Sequence, residues 1–187
     1  MLDTAEELFA QRGYGATPLE DIAQGVGIRA PAIFRHFKNK QALYEAVVDR
    51  LMEGAADITR PERIRETPLD LLDDVFLRTL EQPNLVRILQ HASLANDERF
   101  DYIVHRWLRP VMDELDILMG AELALVKTDE YSLRTIMMMF MTMMWGYVSL
   151  EHVNAAVYRL DPMSPARRRE ALRLLRHFGS TLLREPD

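Results

Sequence analysis

Five short segments carry the chemistry of a helix start: Thr17-Pro18, Thr67-Pro68, Asn96-Asp97-Glu98, Thr128-Asp129-Glu130 and Ser164-Pro165. Each offers a side-chain oxygen that can accept from a free backbone N–H. Each then places proline or an acid in the first turn, where no intrahelical donor is lost and the helix dipole favours negative charge. Between these segments apolar residues recur at intervals of three and four, and no strand-like alternation intervenes. The chain is therefore expected to be all-α, broken most clearly at residues 60–61 and 161–165.

The first fifty residues can be divided further. Leu2, Ala5, Leu8 and Phe9 form one helix face that stops at Gly13. Thr17-Pro18-Leu19-Glu20 has the form of a capping box with proline in the first helical position. Leu19, Ile22, Ala23 and Val26 follow as an apolar face, and Gly27 interrupts them. Ile33, Phe34 and Phe37 are spaced as a third helix, with Pro31 acceptable in its first turn. Asn39 is placed to cap a fourth helix carrying Leu43, Val47 and Leu51.

At 187 residues, 48% of them hydrophobic and 28% charged, the chain has globular composition. It has no cysteine, which excludes disulfides and thiolate metal sites and suits a reducing cytoplasm. Asp3, Glu6 and Glu7 stand where an export signal would be basic and then apolar, so a cytoplasmic location is expected. The uncharged run of residues 135–150 is 16 residues long, shorter than the roughly 20 that span a bilayer, and is expected to be a buried helix.

Charge is unevenly distributed. The net charge is −6, yet residues 22–44 hold Arg29, Arg35, Lys38 and Lys40 and no acid. Two helices joined at a glycine, with small Ala23 at their approach and cations at the edge, have the parts of a helix-turn-helix DNA reader. An ordinary helical corner with a solvated basic face has the same parts.

The segment LFAQRGYGATPLEDIAQGVGIRAPAIFRHFKNKQALYEAVV closely resembles the DNA-binding region of TetR-family transcriptional regulators, in the order helix, RGY, T, IA, GV, aromatic, HF, K and L. The resemblance covers about the first 50 residues; the remainder agrees in all-helical character and length. It implies an N-terminal three-helix DNA-binding domain over residues 1–50 and a larger helical ligand-binding and dimerisation domain over residues 51–187. It also implies that Thr17, Phe34, His36 and Lys40 contact the DNA backbone, and that Arg29, Ala30, Pro31 and Ala32 begin the recognition helix. Arg35 and Lys38 complete the candidate DNA-binding set. Arg29 can fork onto guanine or contact a phosphate, whereas Ala30 and Ala32 offer only apolar contact, suited to thymine methyl groups. Phe34 stands where tyrosine is commonest, which removes one hydroxyl donor. Arg29 stands where a capping serine is frequent, which leaves the recognition helix without a side-chain cap.

A reader of this type recognises two half-sites, so a homodimer on a near-palindromic duplex is expected. Leu172, Leu175, Phe178 and Leu182 form a stripe opposed by arginines; it can serve as a dimer face or as intrachain core. Residues 135–150, with six methionines between Met137 and Met144, are apolar all round and are expected to be covered on both sides. Phe100, Tyr102, His105, Trp107, Met112, Met138, Met141 and Trp145 are candidates for an apolar ligand pocket, with plain core as the other reading. Pro110 is expected to kink a helix over residues 96–119.

No phosphate loop, dinucleotide fingerprint, metalloprotease motif or nucleophile elbow occurs, so neither enzyme activity, a metal nor a cofactor is expected. The function expected is that of a one-component repressor released by an apolar small molecule. A helical carrier of lipid-like or quinone-like molecules, without DNA binding, is the alternative.

Overall fold

The computed structural model describes residues 1–56, 68–113 and 133–182, and over these residues it is helical without strands. The helices are α1 (Leu2–Arg12), α2 (Leu19–Val26), α3 (Ala30–Ile33), α4 (Lys40–Ala56), α5 (Pro68–Glu81), α6 (Pro83–Ala95), α7 (Glu98–Ile103), α8 (Leu133–Ser149), α9 (Glu151–Tyr158) and α10 (Pro165–Leu182). A π-helical turn, Val104–Leu108, continues α7. The expected starts at Thr67 and at residues 128–130, and the break at residues 60–61, lie outside the described residues.

Two compact units form, one of Met1–Ala56 with Asn84–Pro110 and the other of Asp57–Pro83 with Val111–Asp187. The first therefore reaches beyond residues 1–50 and takes in most of α6 and all of α7. Its core joins Ala5 and Phe9 of α1, Ile22 and Ala23 of α2, Ile33 of α3, and Leu43, Val47 and Val48 of α4, all buried. Removing the larger of these side chains, those of Phe, Ile, Leu and Val, from water supplies about 1.5–3 kcal/mol each.

Local chemistry explains most of the helix ends. Asn39 caps α4 by accepting from the Ala42 N–H at 2.8 Å. Asp97 caps α7 by accepting from the Arg99 N–H at 3.0 Å. At the end of α2 the Ile28 N–H donates to the Ala23 carbonyl and the Gly27 N–H to that of Gln24. This Schellman pairing requires a left-handed residue, and Gly27 adopts φ 74°. Helix α1 comes close to α2 at Gly25: a Cβ there would stand 2.6 Å from Thr4 Cγ2.

The capping box at Thr17 does not form. Helix α2 begins at Leu19 with Pro18 as its cap residue and no side-chain cap. The Thr17 hydroxyl instead donates to the carbonyls of Gly13, 2.7 Å away, and Leu8, 3.2 Å away. Its donor is thereby committed to carbonyls at the end of α1, so it closes the preceding helix.

In the second unit α5 packs on α8 and α10. The Tyr147 ring meets Phe76 edge-on at 5.6 Å, and its hydroxyl donates to the Pro162 carbonyl. Arg176 bridges Asp70 and Asp73 of α5. Helix α8 covers only one face: Ile136, Phe140, Met144 and Val148 are buried one turn apart, while Met138, Met139 and Met143 are exposed. The expected second covered face is therefore open in the single chain. Hydrogen bonds from Leu150 N to Gly146 O and from Asn154 N to Leu150 O carry the ladder from α8 into α9.

Candidate nucleic-acid interface

Helices α2 and α3 are held at their turn by buried Ile22, Ala23 and Ile33, which fixes the opposite side of α3 outward. Helix α3 is short, and its continuation relies on tighter bonds, Arg35 N to Ala32 O and His36 N to Ile33 O. Arg29 occupies its cap position with extended backbone and no side-chain cap. Arg29, Pro31, Phe34, Arg35, His36 and Lys38 are exposed, Phe34 by 54%, and Ala30 and Ala32 are half-buried. Arg29, Arg35 and Lys38 have no acidic partner among the described residues. By contrast, Arg12 pairs with Asp21, and Arg50 pairs with both Asp3 and Glu6. The cations of the turn region are thus left available for an external anion such as a phosphate.

Two residues of the expected contact set are placed differently. Thr17 is fully buried, so its side chain has no surface to offer DNA; its role is to close α1. Lys40 is half-buried, and its ammonium donates to the Tyr14 carbonyl while standing 4.1 Å from the centre of the Tyr14 ring. Burial, with the nearby Arg99 guanidinium, lowers its pKa. Tyr14 also packs against Phe9 and Tyr44, with ring centres 5.9 and 5.3 Å away.

The eight candidate pocket residues are divided between the units. Phe100, Tyr102, His105 and Trp107 belong to the first, and Met112, Met138, Met141 and Trp145 to the second. His105, Met112 and Met138 are exposed and the other five half-buried. Tyr102 Oη and Trp107 Nε1 both donate to Asp49 Oδ1, at 2.8 and 2.7 Å. Residues five apart on an α-helix point about 140° from each other, and the wider π turn between them brings both toward α4. Burial, then the bonded Asp49 carboxylate, pushes the Tyr102 phenol up to about 12. The role of Asp49 carried no signal in the sequence.

Among the dimer candidates, Leu175 is buried within its own chain, Leu172 is half-buried, Phe178 is 43% exposed, and the Leu182 side chain lies outside the described residues. The exposed apolar residues of this region include Leu174 and Phe178 on α10 and Val153 and Val157 on α9, each pair one turn apart. That i,i+4 spacing was the available signal for Leu174, Val153 and Val157.

A glycine-closed helix pair with a buried seam and an unpaired cationic outer face defines a helix-turn-helix protein. Residues 1–47 match the family described as bacterial regulatory proteins, tetR family. Over these residues the chain is similar to the TetR family. It is similar to ComR of Escherichia coli, an HTH-type transcriptional repressor, with 44% identity over 55 residues, 29% of this chain and 26% of ComR. It is similar to the repressor KstR2 of Mycobacterium tuberculosis, with 33% identity over 117 residues, 57% of this chain and 56% of KstR2. The chain thus spans between about a quarter and about half the length of these curated relatives. In fold it resembles the solved ketosteroid regulator KstR2 (TM-score 0.68, 21% identity, 97% of this chain and 90% of that one). It also resembles FadR of Bacillus subtilis, solved with stearoyl-CoA (TM-score 0.67, 20% identity, 93% of this chain and 95% of that one).

Proposed function

We propose that this protein is a one-component transcriptional regulator, a repressor, that binds a near-palindromic duplex as a homodimer and is released by an apolar small molecule. The observation that carries the reading is the set Arg29, Arg35 and Lys38. These cations are exposed and unpaired among the described residues, on a recognition turn whose inner face is locked by Ile33. Phosphate contacts from such side chains fix register, and Arg29 at the start of α3 is placed to reach base edges.

The dimer reading is supported by the open apolar residues Met139 and Met143 of α8, Val153 and Val157 of α9, and Leu174 and Phe178 of α10. This revises the expected stripe: Phe178 is retained and Leu174 replaces buried Leu175. The ligand reading is supported by the name and contents of relatives, a ketosteroid regulator and a regulator holding stearoyl-CoA. A ligand would act by preferring the form whose two readers are wrongly spaced, a coupling of typically about 1–3 kcal/mol.

Selection of random duplexes by the purified protein at about 150 mM salt tests the DNA reading. The expected result is an enriched palindrome whose binding weakens in an Arg29→Ala, Lys38→Ala double variant and falls steeply with salt. Absence of any enriched sequence from folded dimer sinks it.

A further inference from the structure

A cleft that the DNA reading does not use lies in the first unit, between the turn at residues 13–16, α4 and α6. Its volume is about 220 Å³, room for about seven waters at about 30 Å³ each. That is below the roughly 300 Å³ at which pockets for drug-sized ligands begin, so an occupant must be small. Phe9, Ile88 and Ala92 give it an apolar floor, while Tyr44, His91 and Arg99 supply polar groups. No aspartate or glutamate lines it, in a chain whose net charge is −6.

The Tyr44 hydroxyl singles this cleft out. Tyr44 is 3% exposed, and a phenol so deeply buried ordinarily finds a hydrogen-bond partner. Here the hydroxyl makes no hydrogen bond among the described residues, and Tyr44 is one of the residues that line the cleft. The imidazole of His91 likewise has no partner among the described residues. Arg99 lies over the Tyr14 ring, with its guanidinium 4.1 Å from the ring centre and one amino group paired with Asp97. A guanidinium has five N–H donors, so others remain. Burial pushes the Tyr44 phenol up to about 12, which keeps it a donor at neutral pH.

A buried phenol donor and a guanidinium with N–H groups left over from its pair with Asp97, above an apolar floor in a small space, match one ligand chemistry. We propose that this cleft binds a small organic carboxylate, whose oxygens accept from Tyr44 Oη and Arg99 and whose apolar part rests on Phe9, Ile88 and Ala92. This site does not rest on the DNA reading, and it would stand if that reading failed.

Calorimetric titration of the full chain with benzoate, and with benzamide as its neutral counterpart, tests the proposal. The expected result is saturable benzoate binding, with benzamide at least about tenfold weaker. Tyr44→Phe removes only the partnerless hydroxyl, so its thermal midpoint should hold while benzoate binds about tenfold more weakly, the effect of one bond to a charged group. Arg99→Gln, folded by the same measure, should weaken binding at least as much. Absence of saturable binding, equal affinity for benzamide, or undiminished affinity in either variant overturns the proposal.

Discussion

The indole N–H of Trp107 donates to the carboxylate of Asp49 across 2.7 Å, tying the π turn to the middle of α4. Tyr102 shares the same oxygen. Replacing Asp49 by alanine leaves two partly buried donors unsatisfied and should cost about 1–3 kcal/mol in urea unfolding. Asp49→Asn retains an acceptor and should cost less. Equal losses would mean that packing, not hydrogen bonding, holds the contact.

Single alanine substitutions at Arg29, Arg35 and Lys38 should leave stability within about 0.5 kcal/mol, because these side chains make no ion pair among the described residues. Each should weaken duplex binding and lower the slope of log affinity against log salt by about one phosphate contact. A variant that binds less but keeps the full slope would identify a base contact instead.

Thr17 and Gly25 yield predictions about the reader's framework. Thr17→Val keeps the shape but removes the donor to Gly13 and Leu8, and should destabilise by about 1–3 kcal/mol; Thr17→Ser, which keeps the hydroxyl, should lose less. Gly25→Ala drives a methyl toward Thr4 Cγ2 and should cost about 1–3 kcal/mol. Adding Thr4→Ser, which deletes that methyl, should recover much of the loss in thermal unfolding.

Tyr44 predicts an alkaline limit. Its phenol ionises near 10.0 in the unfolded chain and at about 12 in the fold, chiefly because burial disfavours the charged form. Above pH 10 the unfolded state therefore binds fewer protons, and stability falls as pH rises through this window, by about 3 kcal/mol in all. Tyr102 is displaced in the same direction. Tyr44→Phe should make the decline between pH 10 and 12 shallower in denaturant titrations; an unchanged decline would assign it to other groups.

Helix caps at Asn39 and Asp97 and the turn at Gly27 were legible because each depends on partners within a few residues. Thr17 was misassigned because two competing partners lie on either side of it in sequence, and only the folded turn decides between them. Lys40 was visible as a cation but not as one held by Tyr14, 26 residues earlier. Leu174 and Leu175 are adjacent in an apolar run, so periodicity alone left the choice of face open by about 100° of helix rotation. The open face of α8 was hidden by composition, since a helix apolar all round does not reveal which side its own chain covers.

The first unit is assembled from two stretches of chain, Met1–Ala56 and Asn84–Pro110, and this sets an order of events during synthesis. Helices α1 to α4 emerge first but lack the surface that α6 and α7 supply. At about 5–20 residues per second, several seconds of translation separate Ala56 from Pro110. Throughout that interval the newly made α1 to α4 stand without that surface, so the finished unit becomes available only after the ribosome has made well over half of the chain.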